Sequence, residues 1–137
     1  RYGGPKGIID FGTATTFDVI DDNGDYHGGV IAPGVNLSVE ALSMAAAKLP
    51  RVAVEKPEKV IGNSTISAIQ SGIFYGYLSM VEGMVERITK EYGDPMKVLA
   101  TGGLATLFNE ASSVIEFVDQ ELTTYGLFEI YSANTVK

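Results

Sequence analysis

A short apolar strand that runs into an acid, a glycine and a cluster of threonines constrains this chain more than any other feature. In IIDFGTATTFD, from Ile8 to Asp18, the apolar run delivers Asp10 to its end. Gly12 then permits a tight turn with close backbone approach, and Thr13, Thr15 and Thr16 offer hydroxyl and amide donors of the kind that hold phosphate oxygens. A carboxylate among such donors repels phosphate unless a cation lies between them, so Asp10 reads as a cation ligand or as an orienter of metal-bound water. The same local pattern also reads as a hairpin turn with an ordinary acid and threonines chosen for strand propensity. The triplet Asp10-Phe11-Gly12 occurs without the HRD loop or VAIK strand of protein kinases, which sets that reading aside.

The surrounding pattern predicts strands at Gly7–Asp10, Thr15–Ile20 and Tyr26–Ile31, the last two joined by the hairpin signal Asp22-Asn23-Gly24. Pro33 and Gly34 stop the third strand, and Val39 to Leu49 reads as a helix ended by Pro50. Val52 to Val54 fits a short strand or an extended connector. From Ser64 to about Glu91 apolar residues recur every three or four positions, which predicts a long amphipathic helix capped by Ser64 or Asn63. Gly72 and Gly76, one turn apart on it, suggest a closely packed helix or subunit neighbour. A strand at Lys97–Ala100, a helix at Leu104–Glu110, a strand at Val114–Phe117 and a helix at Leu122–Asn134 complete the order. That order fits an α/β, ribonuclease-H-like core, in which three antiparallel strands are extended by parallel strands with helices on both faces.

A second glycine turn, Thr101-Gly102-Gly103, links a strand to a helix and presents amides suited to phosphate or to the sugar face of a nucleotide. Such turns also serve merely to close a connection. Composition narrows the chemistry further. Seventeen acidic against ten basic residues give a net charge of −7, which disfavours nucleic acid as a partner. No apolar run reaches the roughly 18 residues of a membrane span, so no membrane partner and a cytoplasmic location are expected. With no cysteine and one histidine, disulfides, thiolate catalysis and multi-histidine zinc sites are excluded.

Taken in order, DFGTATTFD, GGVIAPG, AKLPRV, IGNST, SGIFYG, ATGGLA and ELTTYGL resemble the type III pantothenate kinases, a family of the actin and sugar-kinase ATPase superfamily. The resemblance runs from Gly7 to about Ser132. It implies that residues 1–137 form the C-terminal actin-like ATPase subdomain of a two-subdomain kinase whose N-terminal subdomain is absent from the chain. The opening at Arg1, without methionine, agrees with a fragment. By similarity Asp10 would bind the activating monovalent cation, K+ or NH4+. Gly12, Thr13, Gly102 and Gly103 would bind ATP, which brings Mg2+, and Thr65 would contact pantothenate near the interface of a homodimer.

The reaction so implied is ATP-dependent phosphorylation of pantothenate to 4′-phosphopantothenate, the first step of coenzyme A biosynthesis. The DxGNT-type first phosphate turn and the GADR-like motif carrying the base aspartate are missing and belong upstream of Arg1, so no catalytic residue is assigned here. Asp18 is a substitute base or, as its place in the second strand favours, a surface or turn-supporting acid. His27 sits at the hairpin edge as a strand residue or a pocket residue. Tyr75, Tyr77, Met80 and Met84 read as packing residues. The competing readings are a related small-molecule kinase, a regulatory protein of the transcriptional-activator type, and a non-catalytic nucleotide-binding module.

Overall fold

The computed structural model describes residues 3–46 and 49–121. Strands β1 (Lys6–Phe11), β2 (Ala14–Ile20) and β3 (Tyr26–Pro33) are followed by helices α1 (Val35–Ala45) and α2 (Thr65–Tyr92). Then come β4 (Lys97–Gly102), α3 (Ala105–Ala111) and the short β5 (Phe117–Val118). The strands form one sheet in the order β3-β2-β1-β4-β5. β1–β2 and β2–β3 are antiparallel, whereas β1–β4 and β4–β5 are parallel, as the element order predicted.

The first hairpin forms because β-branched and aromatic residues alternate along β2, sending Thr15, Phe17 and Val19 to one buried face. The second hairpin closes on Asp21, whose Oδ1 accepts the backbone N–H groups of Asn23 and Asp25, each at 2.9 Å. Helix α2 starts at Ser64, whose hydroxyl accepts the Ser67 amide while Ser67 Oγ accepts the Ser64 amide, a reciprocal cap. It ends at Gly93 in the left-handed region, φ 94°.

The inward stripe of α2, Ile69, Ile73, Phe74, Leu78, Val81 and Val85, is buried against Ile9, Phe11, Phe17, Val98 and Ala100 of the sheet. Each such side chain contributes about 1.5–3 kcal/mol through removal from water. Phe108 of α3 lies between Phe11 and Phe74, stacked on both at centroid separations of 5.0 and 5.2 Å. Residues of α1, α2 and α3 all join this one cluster. On the opposite face Ile8, Ile20 and Leu99 form a second buried group, with Leu99 fully enclosed.

Several boundaries differ from the sequence reading. Helix α1 begins at Val35, four residues earlier than expected, because Gly34 is its N-cap rather than part of a loop. Val52–Val54 is an extended connector; Gln70 and Tyr75 of α2 donate to the Ala53 and Pro57 carbonyls at 3.4 and 2.8 Å. The last described strand is Phe117–Val118, since Ile115 turns into the core before pairing begins. Among the described residues a Cβ added at Gly72 or Gly76 meets nothing within 4 Å, so no packed helix among them accounts for the two glycines. The helix expected at Leu122–Asn134 lies outside the described residues.

Candidate phosphate and cation site

The two-residue link between β1 and β2 is Gly12-Thr13, closed by the Gly12 amide donating to the Ala14 carbonyl at 3.2 Å. The start of α1 presses directly on this bend. A Cβ at Gly34 would collide with the carbonyl oxygen of Thr13, so only glycine allows the helix to begin there. Gly34 provides no side-chain cap and the first turn of α1 holds no acid. The positive end of an eleven-residue helix therefore stands beside the threonine turn.

A hollow of about 310 Å³ opens at this junction, lined among others by Gly12, Thr13, Asn36, Glu40 and Gly103. The structure thus brings together the two glycine turns that are 90 residues apart in sequence, as Gly12 plus 90 gives Gly102. The parallel pairing of β1 with β4 causes this, by ending both strands at the same level, Phe11 opposite Gly102. Of the two glycines in the second turn, Gly103 lines the hollow and Gly102 does not. Gly102 has φ 99°, and a Cβ there would meet the Phe11 carbonyl oxygen at 2.5 Å, so its smallness serves the close approach of β4 to β1.

Two contributors escaped sequence reasoning. Asn36 and Glu40 enter the hollow only because α1 starts at Gly34, and Glu40 is held by Arg51 at 3.1 Å. Tyr77, expected to pack, also acts through its hydroxyl. It donates to the Pro33 carbonyl at 2.8 Å and contacts Ser38 Oγ, pinning the entry of α1 to the middle of α2.

Asp10 lies on the other face of the sheet. It is in register with Thr16 of β2 and Thr101 of β4, so three oxygen-bearing side chains form a row across three strands. Thr101 is 1% exposed and its hydroxyl has no hydrogen-bond partner among the described residues; Thr15, buried on the helix-covered face, is likewise unpartnered there. Asp18 stands diagonally from Asp10 on the same face, and its Oδ1 accepts from the Tyr26 hydroxyl at 3.0 Å. Partial burial pushes the Asp18 carboxyl above its usual range; the Tyr26 hydrogen bond opposes this and the charge of Asp10 adds to it.

Thr65, the first residue of α2, is not part of this assembly. It lines a separate hollow of about 610 Å³ with Ser38, Leu42 and Gly72. Helix α1 is the wall between the two spaces, giving Asn36 and Glu40 to one and Ser38 and Leu42 to the other. His27 is remote from both, exposed at the second hairpin and paired with Asp21 at 2.8 Å.

Among the described residues no helix is long and apolar enough to cross a membrane. Solved structures of other proteins share this architecture. The solved structure of a protein described as a conserved Baf family transcriptional activator from Campylobacter jejuni superposes with a TM-score of 0.62 at 19% identity, covering 97% of this chain and 60% of that one. The ethanolamine utilization protein EutJ from Carboxydothermus hydrogenoformans gives 0.53 at 20% identity, covering 96% and 49%. At these identities the likeness establishes the ribonuclease-H-like, actin-like ATPase fold.

Sequence similarity is much closer. A type III pantothenate kinase of Paramagnetospirillum magneticum is 60% identical over 134 residues, 98% of this chain and 52% of that protein. One of Rhodospirillum rubrum is 59% identical over 133 residues, 97% and 52%. The chain spans about half the length of the curated relatives it matches. The sequence profile described as type III pantothenate kinase matches residues 1–87, more than half of the chain. On these grounds the chain belongs to the type III pantothenate kinase family.

Proposed function

We propose that this chain supplies the second phosphate turn and the cation-binding acid of a cytoplasmic kinase that phosphorylates pantothenate with ATP, giving 4′-phosphopantothenate for coenzyme A synthesis. The observation that carries this reading is the meeting of Gly12, Thr13, Gly103 and the uncapped start of α1 around one hollow. Amides and a helix N-terminus there suit the phosphate chain of a nucleotide. In the reaction the primary hydroxyl oxygen of pantothenate attacks the γ-phosphorus, the bond to the β,γ-bridging oxygen breaks, and ADP leaves with that electron pair. The hydroxyl proton passes to a carboxylate.

Within this chain Thr13 and the α1 amides hold and orient the phosphates, Gly103 admits the nucleotide close to the backbone, and Gly102 lets that turn sit against β1. The oxygen row at Asp10 suits a hard monovalent cation, K+ or NH4+, which when bound offsets phosphate charge, while Mg2+ arrives with the nucleotide. The remaining half of the phosphate clamp and the base aspartate belong to a second subdomain, residues 1–137 being the C-terminal one. Isolated, the chain should not turn over pantothenate; sustained ADP release in a coupled assay refutes that.

Thr65 opens toward solvent behind α1, sharing its hollow with the exposed Leu42 and followed in α2 by the exposed Ile66. This supports a two-fold homodimer in which Thr65 reaches the pantothenate site near the interface. Sedimentation of the complete enzyme as a monomer overturns the dimer.

A chimaera tests the function. This chain replaces the matching segment of the Paramagnetospirillum magneticum protein, and pantothenate phosphorylation is measured in K+ and in Na+. Turnover within about tenfold of the parent, lost on Asp10→Asn or Thr13→Val, supports the reading. A folded chimaera that binds neither substrate, or that ignores both substitutions, sinks it.

A further inference from the structure

Strand β4 reads Lys97-Val98-Leu99-Ala100-Thr101-Gly102, apolar throughout its buried stretch until Thr101. A valine at position 101 would fill the same volume without burying a hydroxyl, and an unpartnered buried hydroxyl costs stability. Thr101 nevertheless stands there, 1% exposed, its Oγ1 without a hydrogen-bond partner among the described residues. Its direct neighbour across the parallel ladder is Asp10, and the preceding pair on the same face, Ile8 with Leu99, confirms which way both side chains point. Thr16 faces Asp10 from the other side.

The charge of this row also limits what it can hold. Asp10 brings one carboxylate and the threonines bring neutral oxygens. Asp18, the next acid on that face, is engaged by Tyr26. Among the described residues no group of three or more acids and histidines gathers for a divalent metal. One negative charge with neutral oxygens matches a singly charged cation better than a doubly charged one.

We infer that Thr101 is an oxygen ligand of the monovalent cation at Asp10, so that its buried hydroxyl is satisfied by the ion and not by the protein. This rests on the cation reading of Asp10 given above and adds to it a residue from a different strand. It also links the two glycine turns, because Thr101 immediately precedes Gly102 and Gly103. Binding of the ion would then steady the end of β4 that carries the second turn.

The test is thermal unfolding of the whole chain in K+, Na+ and choline chloride at constant ionic strength, with 205Tl NMR as a direct probe of a K+ surrogate. The wild-type melting temperature is expected to rise with K+ beyond its value in choline. Thr101→Val should melt no lower than wild type in choline, yet need about tenfold more K+ for the same rise, the order of losing one partner of a charged group. Thr101→Ser should keep the wild-type response, and Asp10→Asn should lose it. Thr15→Val, which removes the other orphaned hydroxyl, should leave the K+ response unchanged.

A Thr101→Val protein that responds at wild-type K+ concentrations overturns the inference alone, as does a Thr101→Ser protein that behaves like the valine variant. Wild-type chain that shows neither a K+ effect nor a Tl+ shift overturns the cation reading of Asp10 and the inference with it. Should Thr101→Val fail to fold, Thr101→Ala provides the same comparison by 205Tl NMR.

Discussion

Gly102 illustrates how one residue sets the spacing of the site. Its φ of 99° and the proximity of the Phe11 backbone leave no room for a side chain. Gly102→Ala is expected to cost about 2 kcal/mol, from the strained backbone and from parting β4 from β1, measurable by urea unfolding. A cost near zero would mean that β4 does not approach β1 as described. Asp18 gives a pH signature. Its folded-state pKa is raised, mainly by burial, so between the usual carboxylate value and the raised one the folded chain holds more protons than the unfolded chain. Stability from this group therefore falls as pH climbs through that window. Asp18→Asn should accordingly raise the melting temperature at neutral pH and lose its advantage below about pH 4. An advantage that persists unchanged in acid contradicts the burial of Asp18.

Among elements, α1 decides whether there is a site at all. Its entry is fixed by Gly34 against Thr13 and by the Tyr77 hydroxyl on the Pro33 carbonyl. Tyr77→Phe should cost about 1 kcal/mol of stability and broaden the amide signals of Val35 to Leu37 in NMR spectra, and an unchanged spectrum would remove Tyr77 from this role. This element was also the least legible in sequence. The β1–β3 hairpins and α2 announce themselves through alternation, the Asp-Asn-Gly turn and a sustained helical stripe, and the structure places them within about two residues of expectation. The start of α1 does not, because Pro33-Gly34 reads as a strand stop and loop. Only the contact with Thr13 reveals Gly34 as a cap. Likewise Asp10, Gly12, Thr13 and Gly103 stand out as types in a pattern, whereas Thr101 reads only as the first residue of the second glycine turn until its register with Asp10 is known. Val52–Val54, β-branched and short, offers strand propensity but pairs with no strand among the described residues, and Gln70 of α2 donates to the Ala53 carbonyl instead.

At the scale of the whole molecule, one aromatic stack couples the glycine-turn end of the sheet to the helices. Phe108 touches both Phe11, which leads into the Gly12-Thr13 turn, and Phe74 in the middle of α2. Phe108→Ala should destabilise by about 3–5 kcal/mol, which for a domain of this size leaves little stability, and loss of under 1 kcal/mol would show that the sheet, α2 and α3 do not share one core. The sheet topology explains why the site sits where it does. Two parallel strands end together, each continuing into a glycine turn, and a helix begins against the first of them. The central claim is that this convergence holds the phosphates of ATP. Titration of 15N-labelled chain with Mg-ATP in K+ tests it most directly. The prediction is that the amides of Gly12, Thr13, Val35 to Leu37 and Gly103 shift together and saturably, and that Thr13→Val weakens the effect. Saturable shifts confined to other residues, or none at several millimolar ATP in chain shown to be folded, would contradict it.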